Sequence, residues 1–388
     1  MKVVHVVPQP SIFEPTIRQR ADALGHECIF YPLRGSRAEM TRDWIALYRA
    51  CRARPGHLFV FHMVPHWRIL LLSLALPDFR YCLLYWGEDY YATFLNAAQF
   101  ERHCLRKSAL LNPAHYGRFR TSWRKAYRQF IRRRVGLLVL RRAAAIVSLC
   151  PKQFRILRSF HFKAFRQPLR TPQFRMRGYG HETASTGTES LAPTGGEDLR
   201  ILICHSAAPT VAHRQSIEIA RQYQLRWNAK VTICGFLSYS GGEEADRDRL
   251  AADLIAQASF ATEARFERMF LTPEQLRSAL ARADVALFSC LRDEGVSMLT
   301  QFAQMGGLLS FNRFSINHDF FKHYCPAKVL THEDFLACEP GSLRRRRSEP
   351  AGAPPPMLEY SQLGHLGLAG DKLDLRPLQR DAEATVSF

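Results

Sequence analysis

Residues 284–311 read DVALFSCLRDEGVSMLTQFAQMGGLLSF, and the fold turns on how this stretch is parsed. Asp284–Cys290 is a short apolar run of strand length, and LRDEG at 291–295 is a polar turn that ends in glycine. Val296–Met305 then spaces its apolar residues as a helix does, and Gly307–Phe311 returns to a compact apolar run. Strand, tight turn, helix and strand make one βαβ unit, the building block of a parallel sheet.

The same alternation extends upstream. Leu199–Cys204 and Lys230–Phe236 read as strands, and His213–Leu225 and Ala245–Gln257 as helices. Thr272–Ala283 reads as a helix with Thr272 as its N-cap, Pro273 in its first turn and Glu274 beside the positive dipole end. The first half repeats the theme. Lys2–Val7, His57–His62, Tyr81–Trp86 and Ala143–Leu149 are strands, while Thr16–Leu24, Thr41–Arg52 and Trp123–Arg142 are helices. Between the halves, 167–198 is rich in Pro, Gly, Ser and Thr and reads as a linker or long loop. The expected organisation is therefore an α/β chain of two Rossmann-like domains, 1–166 and 199–338, facing a central cleft. From Glu339 onward an Arg run and a Pro run predict a basic tail of low order, 339–388.

The chain has 388 residues, 47% of them hydrophobic, enough for two ordinary cores. Its formal net charge of +19 implies an anionic partner: a phosphorylated substrate, an acidic membrane face or nucleic acid. The ten cysteines form no C-x-x-C pair, which fits buried thiols in a reducing compartment and gives no zinc spacing. No metal and no cofactor are expected. MKVVHVVPQP reads as a first strand rather than a secretory leader. The apolar run Ile69–Leu76 is far short of the ~20 residues that cross a bilayer, so a membrane would be met from the side.

Three places carry candidate chemistry. In the LRDEG turn, Gly295 allows a tight bend, and the N–H groups of Val296, Ser297 and Met298 would present a helix N-terminus to an anion. Arg292 adds a positive charge there, and Glu294 is placed for a sugar or ribose hydroxyl. After the strand at 199–204, His205-Ser206-Ala207-Ala208-Pro209-Thr210 offers small and hydroxyl residues suited to a diphosphate, with His213 just beyond. Neither loop has the G-x-G-x-x-G or G-x-x-x-x-G-K-[ST] pattern, which disfavours a dehydrogenase or a P-loop ATPase. In the first half, Trp86-Gly87-Glu88-Asp89-Tyr90-Tyr91 follows a strand directly. Its carboxylates suit a base acting on an acceptor hydroxyl, and its aromatics suit a sugar face. His62 is a lesser candidate for the same substrate. Asp246-Arg247-Asp248 has D-x-D spacing but lies in a charged helical run, the pattern of a solvated face.

Between 101 and 166 there are eighteen Lys or Arg against one acid, Glu101, with Phe119, Trp123, Tyr127 and Phe130 at helical spacing among them. A basic helix with an aromatic stripe suits an anionic membrane interface or the pyrophosphate of a lipid-linked acceptor. The alternative is nucleic-acid binding, although the sequence has no RRM, KH, zinc-finger or helix-turn-helix signature.

HLFVFH, YWGEDYY, ILICHSAAPTVAHRQSIEIA and ADVALFSCLRDEGVSMLTQFAQMGGLLSFNR, in that order, resemble the lipid II 4-acetamido-4,6-dideoxy-D-galactose transferases of enterobacterial common antigen synthesis. The resemblance covers about residues 1–335. It implies a GT-B-like glycosyltransferase that moves the deoxyamino sugar from its dTDP donor to an undecaprenyl-pyrophosphate-linked saccharide at the cytoplasmic face of the inner membrane. Onto the family's motifs it carries Trp86, Gly87, Asp89 and Tyr90 or Tyr91, then Ser206, His213, Gly295 and Asn312, while Ser297 stands where the family's G-I-G turn has its second Gly. His205 and Ala207 stand where the family has Asn and Gly. Eight residues after Glu294, with seven between them, where retaining enzymes place a second acid, stands Phe302. A GT-B enzyme with a different nucleotide sugar remains the second alternative.

Overall fold

A computed structural model describes residues 2–9, 14–32, 36–62, 64–85, 104–112, 123–148, 150–171, 173–175, 198–238, 243–349 and 363. The described chain forms two parallel sheets, each in its own compact unit.

In the first unit, β1 (Val3–Gln9) is buried along nearly its whole length, as a strand covered on both faces must be. It lies between β2 (Glu27–Pro32) and β3 (Leu58–His62), followed outward by β4 (Arg80–Tyr85), β5 (Ala145–Ser148) and β6 (Gln173–Arg175). The helices are α1 (Glu14–Ala23), α2 (Arg37–Arg52), α3 (His66–Ala75), α4 (Trp123–Arg142) and α5 (Pro151–Phe165). A capping box starts α2, with the Ser36 hydroxyl accepting from the Glu39 amide and the Glu39 carboxylate accepting from Ser36 N–H. From β2 onward every crossover moves the same way along the sheet. Right-handed crossovers therefore put α2, α3, α4 and α5 on one sheet face and α1 on the other.

The second unit runs β7 (Leu199–Leu202), α6 (His213–Trp227), β8 (Val231–Phe236), α7 (Glu244–Gln257), β9 (Glu263–Glu267), α8 (Pro273–Ala281) and β10 (Val285–Phe288). It continues through α9 (Val296–Gln304), β11 (Leu308–Phe311), α10 (Ile316–Tyr324), β12 (Val329–Thr331), α11 (His332–Ala337) and α12 (Pro340–Ser348). Its strand order, β12-β11-β10-β7-β8-β9, is the 3-2-1-4-5-6 order of dinucleotide-binding sheets. Ile201, Ile233, Val285 and Leu308 are buried in its core with Tyr223 and Phe335, whose rings stack at 4.5 Å.

Four observations correct the sequence reading. Strands β2 and β9 were not expected: both are sheet edges, β9 alternates charged residues through its run, and β2 offers only the four-residue apolar run 28–31. β6 falls inside the stretch 167–198 read as linker. Residues 104–112, expected in the first domain, group with the second unit. The tail predicted as low order begins with α12, tied down by Arg347, which pairs with Asp284, and by Lys328, whose ammonium donates to the Arg346 and Arg347 carbonyls. An Arg run reads as solvated in isolation, but Arg347 is only 7% exposed because its partner lies 63 residues away.

Candidate functional site

Two strands that neighbour each other but send their crossovers in opposite directions open a crevice at their carboxyl ends. In the second sheet those strands are β7 and β10. Both candidate loops leave from there. Residues 203–212 lead from β7 to α6, and 289–295 lead from β10 to α9.

The loops touch. The His205 imidazole stacks on Phe288, with centroids 5.8 Å apart, and its other neighbour is Gly295. A Cβ on Gly295 would lie 3.0 Å from the imidazole, and the backbone there has φ +68°. Glycine alone satisfies both demands, which is why it stands at the N-terminus of α9. Beyond it, the first N–H groups of α9 have no acceptor one turn back, and the helix dipole points its positive end at the crevice. Burial lowers the His205 pKa to about 4, so the ring is neutral at pH 7. Its Nδ1 makes no hydrogen bond within the described residues.

Glu294 is held by its backbone. The Asn317 side chain, fully buried on α10, donates to the Glu294 carbonyl at 2.7 Å. Ile316 N–H donates to the Leu291 carbonyl, so α10 grips both ends of the turn. Desolvation raises the Glu294 pKa, opposed by Thr210 from the facing loop and by Arg292. One carboxylate oxygen, Oε2, is buried without a partner among the described residues. A carboxylate so placed accepts a hydroxyl readily.

The other candidates form the scaffold. Ser206 is buried, its hydroxyl accepts from Ala208 N–H, and its carbonyl takes a 2.7 Å bond from the His213 ring. Asn312 is fully buried. Its amide donates to the Ser108 hydroxyl at 3.2 Å, and its carbonyl oxygen accepts from Phe314 N–H. These three were read from sequence as donor contacts, yet their polar atoms are engaged inside the chain. His205, Arg292, Glu294, Gly295 and Ser297 are the candidates left partly open at the crevice.

Sequence reasoning missed the support beneath the turn. Ser216, Ser289, His332 and Ser310 form a buried chain of hydrogen bonds, with the His332 ring between the Ser289 and Ser310 hydroxyls at 3.2 and 2.9 Å. Three isolated serines and a histidine far apart in the chain carry no motif, so only the fold reveals them. It also missed the segment 104–112, where Cys104 and Leu111 pack on Ala212 and Leu291. The Gln215 side chain donates to the Leu110 carbonyl and accepts from Asn112 N–H.

In the first unit, Trp86, Gly87, Glu88, Asp89 and Tyr90 lie outside the described residues. His62, read as a substrate contact, is 1% exposed and bonds His5 at 3.0 Å, while His5 in turn bonds His26 at 3.1 Å. The acids of Asp246-Arg247-Asp248 pair with Arg249 and Arg268 on the helix surface. Among the described residues no group of three His, Cys, Asp or Glu stands where it would hold a metal ion. Phe302 is 1% exposed, a core residue packed against Gly307.

Solved structures share this architecture. The α,α-trehalose 6-phosphate synthase of Burkholderia multivorans aligns over 98% of this chain and 91% of its own, at 8% identity and a TM-score of 0.57. The fold is that of the GT-B glycosyltransferases. A UDP-forming α,α-trehalose-phosphate synthase of Burkholderia xenovorans aligns over 99% of this chain and 97% of its own, at 9% identity and a TM-score of 0.57. Anabaena Alr3699/HepE, solved with UDP and glucose, aligns over 90% and 93%, at 10% identity and a TM-score of 0.55. No family model matches the sequence, and no curated protein matches it. At these identities the likeness is one of fold.

Proposed function

We propose that this chain is a glycosyltransferase whose second unit holds a nucleotide-diphosphate sugar at the carboxyl ends of β7 and β10. The observation that carries the reading is the meeting of His205 with Gly295, which brings both candidate loops together at the switch point with a helix N-terminus behind them. The fold neighbours add support, since one is described as UDP-forming and another was solved with UDP and glucose.

In this reading the N–H groups of Val296, Ser297 and Met298 and the Arg292 guanidinium hold the diphosphate. They stabilise the negative charge that grows on it as the glycosidic bond breaks. The free oxygen of Glu294 accepts a sugar or ribose hydroxyl. The neutral His205 ring gives the pocket a flat wall and a nitrogen that can accept a hydrogen bond. Asp89, or Glu88 beside it, removes the proton of the acceptor hydroxyl, with Trp86, Gly87 and Tyr90 against the acceptor sugar.

The sequence resemblance supports a finer reading: a dTDP-linked 4-acetamido-4,6-dideoxy-D-galactose donor and an undecaprenyl-pyrophosphate-linked acceptor, met at the cytoplasmic face of a bacterial inner membrane. Incubation with that donor and a polyprenyl-pyrophosphate disaccharide tests it. Release of dTDP with extension of the lipid-linked saccharide is expected. Turnover of a UDP- or GDP-sugar alone would keep the glycosyltransferase and reject this donor.

A further inference from the structure

Ten large hydrophobic residues in the described part of the first unit are exposed, and nine of them lie on α2, α3, α4 and α5. Those are the four helices that share one sheet face, so the exposed apolar surface is concentrated on one side of the unit. The stripe is clearest on α3. Trp67, Leu71 and Leu74 follow at i, i+4 and i+7 and are 48%, 43% and 61% exposed, while Ile69 and Leu72 turn inward. The one cation of α3, Arg68, is buried and stacks on Tyr31 and Trp67 at 4.6 and 4.8 Å, so the outward stripe is uncharged. On α4, which packs against α3, Tyr127, Phe130 and Ile131 are exposed at 61%, 52% and 44%. At two positions of the stripe read from sequence, Tyr127 and Phe130, the rings face outward and not into the core.

Charge completes the pattern. Helices α3, α4 and α5 together carry thirteen Lys or Arg and no acid. Arg128, Arg132 and Arg134 are exposed beside the aromatics, and the Arg134 guanidinium lies 5.1 Å from the Phe130 ring. A purely electrostatic partner would not need three leucine- and tryptophan-sized groups in water, and a purely apolar partner would not need the arginines. An anionic bilayer matches both, taking the rings and leucines at headgroup depth while the arginines meet lipid phosphates. No described helix is long and apolar enough to cross a membrane, so contact from the side is the geometry available.

We infer that the α2–α5 face of the first unit is a docking surface for an anionic lipid bilayer, with the α3 stripe as its inserted edge. This deepens the lipid-linked acceptor reading and rests on it for the biological membrane involved. Co-sedimentation of the full chain with phosphatidylglycerol vesicles and with phosphatidylcholine vesicles tests the inference. Binding to the anionic vesicles, weakened by salt, is expected, and Leu71→Ser with Leu74→Ser should cut it by about tenfold or more. Phe270→Ser, at a residue 71% exposed in the second unit, should leave it unchanged. Equal binding of the double variant and the wild type would overturn the inference. So would indifference to lipid charge, or preference for polyuridylate over vesicles. Should the double variant not fold, Trp67→Phe decides: it must remove part of the fluorescence quenching by brominated lipids. A melting-point shift with nucleotide diphosphates, read on the wild type, separates the two readings. A wild type that shows that shift but binds no vesicles rejects only the surface, and one that binds anionic vesicles but shows no shift rejects only the donor site.

Discussion

The imidazole of His205 occupies the space where a side chain on Gly295 would have to go, 3.0 Å from an added Cβ. Two loops 90 residues apart in sequence are thereby fitted to each other at the head of α9. Gly295→Ala should lower stability by about 1–2 kcal/mol, from the left-handed backbone and the contact together. Adding His205→Ala should recover the steric part and leave the backbone part. Chemical denaturation of both single variants and the double variant measures the coupling.

The Asn317 amide reaches the turn at two points, donating to the Glu294 carbonyl at 2.7 Å and to Cys290 Sγ at 3.6 Å. Asn317→Ala leaves that buried carbonyl without its donor and should cost about 1–3 kcal/mol of stability. Because the turn loosens, affinity for a nucleotide diphosphate should fall as well. Calorimetric titration and denaturation, performed on the one variant, test the two effects. Unchanged affinity would make Asn317 a structural residue alone.

Ala212 is the N-cap of α6 and has φ 57°, a left-handed backbone that an alanine adopts at a cost. It is packed there against Cys104 and Leu111 of the segment 104–112. Ala212→Gly should therefore raise stability, by up to about 1 kcal/mol. The same segment is pinned by Asn312 and Ser108. A double-mutant cycle with Asn312→Ala and Ser108→Ala should return a coupling of about 0.5–1.5 kcal/mol.

Burial lowers the His332 pKa from 6.5 to about 3. In the unfolded chain the ring takes up its proton near 6.5, while in the folded chain it stays neutral until far lower pH. Between those values the unfolded state binds more protons, so stability falls as pH drops from about 6.5 toward 3. The slope is about 1.4 kcal/mol per pH unit for this histidine. His62, lowered to about 3 by the same desolvation, adds to it. Denaturation across that range should show a shallower dependence in His332→Gln, with stability above pH 7 lowered only by the loss of the bonds to Ser289 and Ser310.

The turn at 290–298 is legible in sequence because its evidence is local: an apolar strand, a polar turn, one glycine and an amphipathic helix in direct succession. The same is true of α4, whose bounds match the expectation. Edge strand β9 escapes because Glu263, Arg265 and Glu267 alternate along it and dilute the apolar pattern, and β2 because its apolar run, 28–31, is only four residues long. Non-local partners account for the rest. Arg347 looks solvated until Asp284 is beside it, and Asn317 looks like any helical asparagine until Glu294 is above it. Ser206, His213 and Asn312 lie in the region read from sequence, but a linear pattern cannot say whether a polar atom faces a crevice or a neighbouring backbone. Whether Glu88 and Asp89 act on an acceptor is open to kinetics: loss of turnover with donor affinity retained is expected for Asp89→Asn.

The central claim is that the crevice between β7 and β10 grips a nucleotide diphosphate through the head of α9, Arg292 and Glu294. Thermal melting of the full chain with dTDP, UDP and GDP tests it most directly. At about 100 times its dissociation constant, one of the three should add ~2.7 kcal/mol of stability and a melting-point rise of a few degrees. Arg292→Ala should abolish most of that rise without lowering the melting point of the unliganded protein by a like amount, and Glu294→Ala should weaken it. A melting point unmoved by all three nucleotides, or a rise that survives Arg292→Ala intact, would contradict the claim.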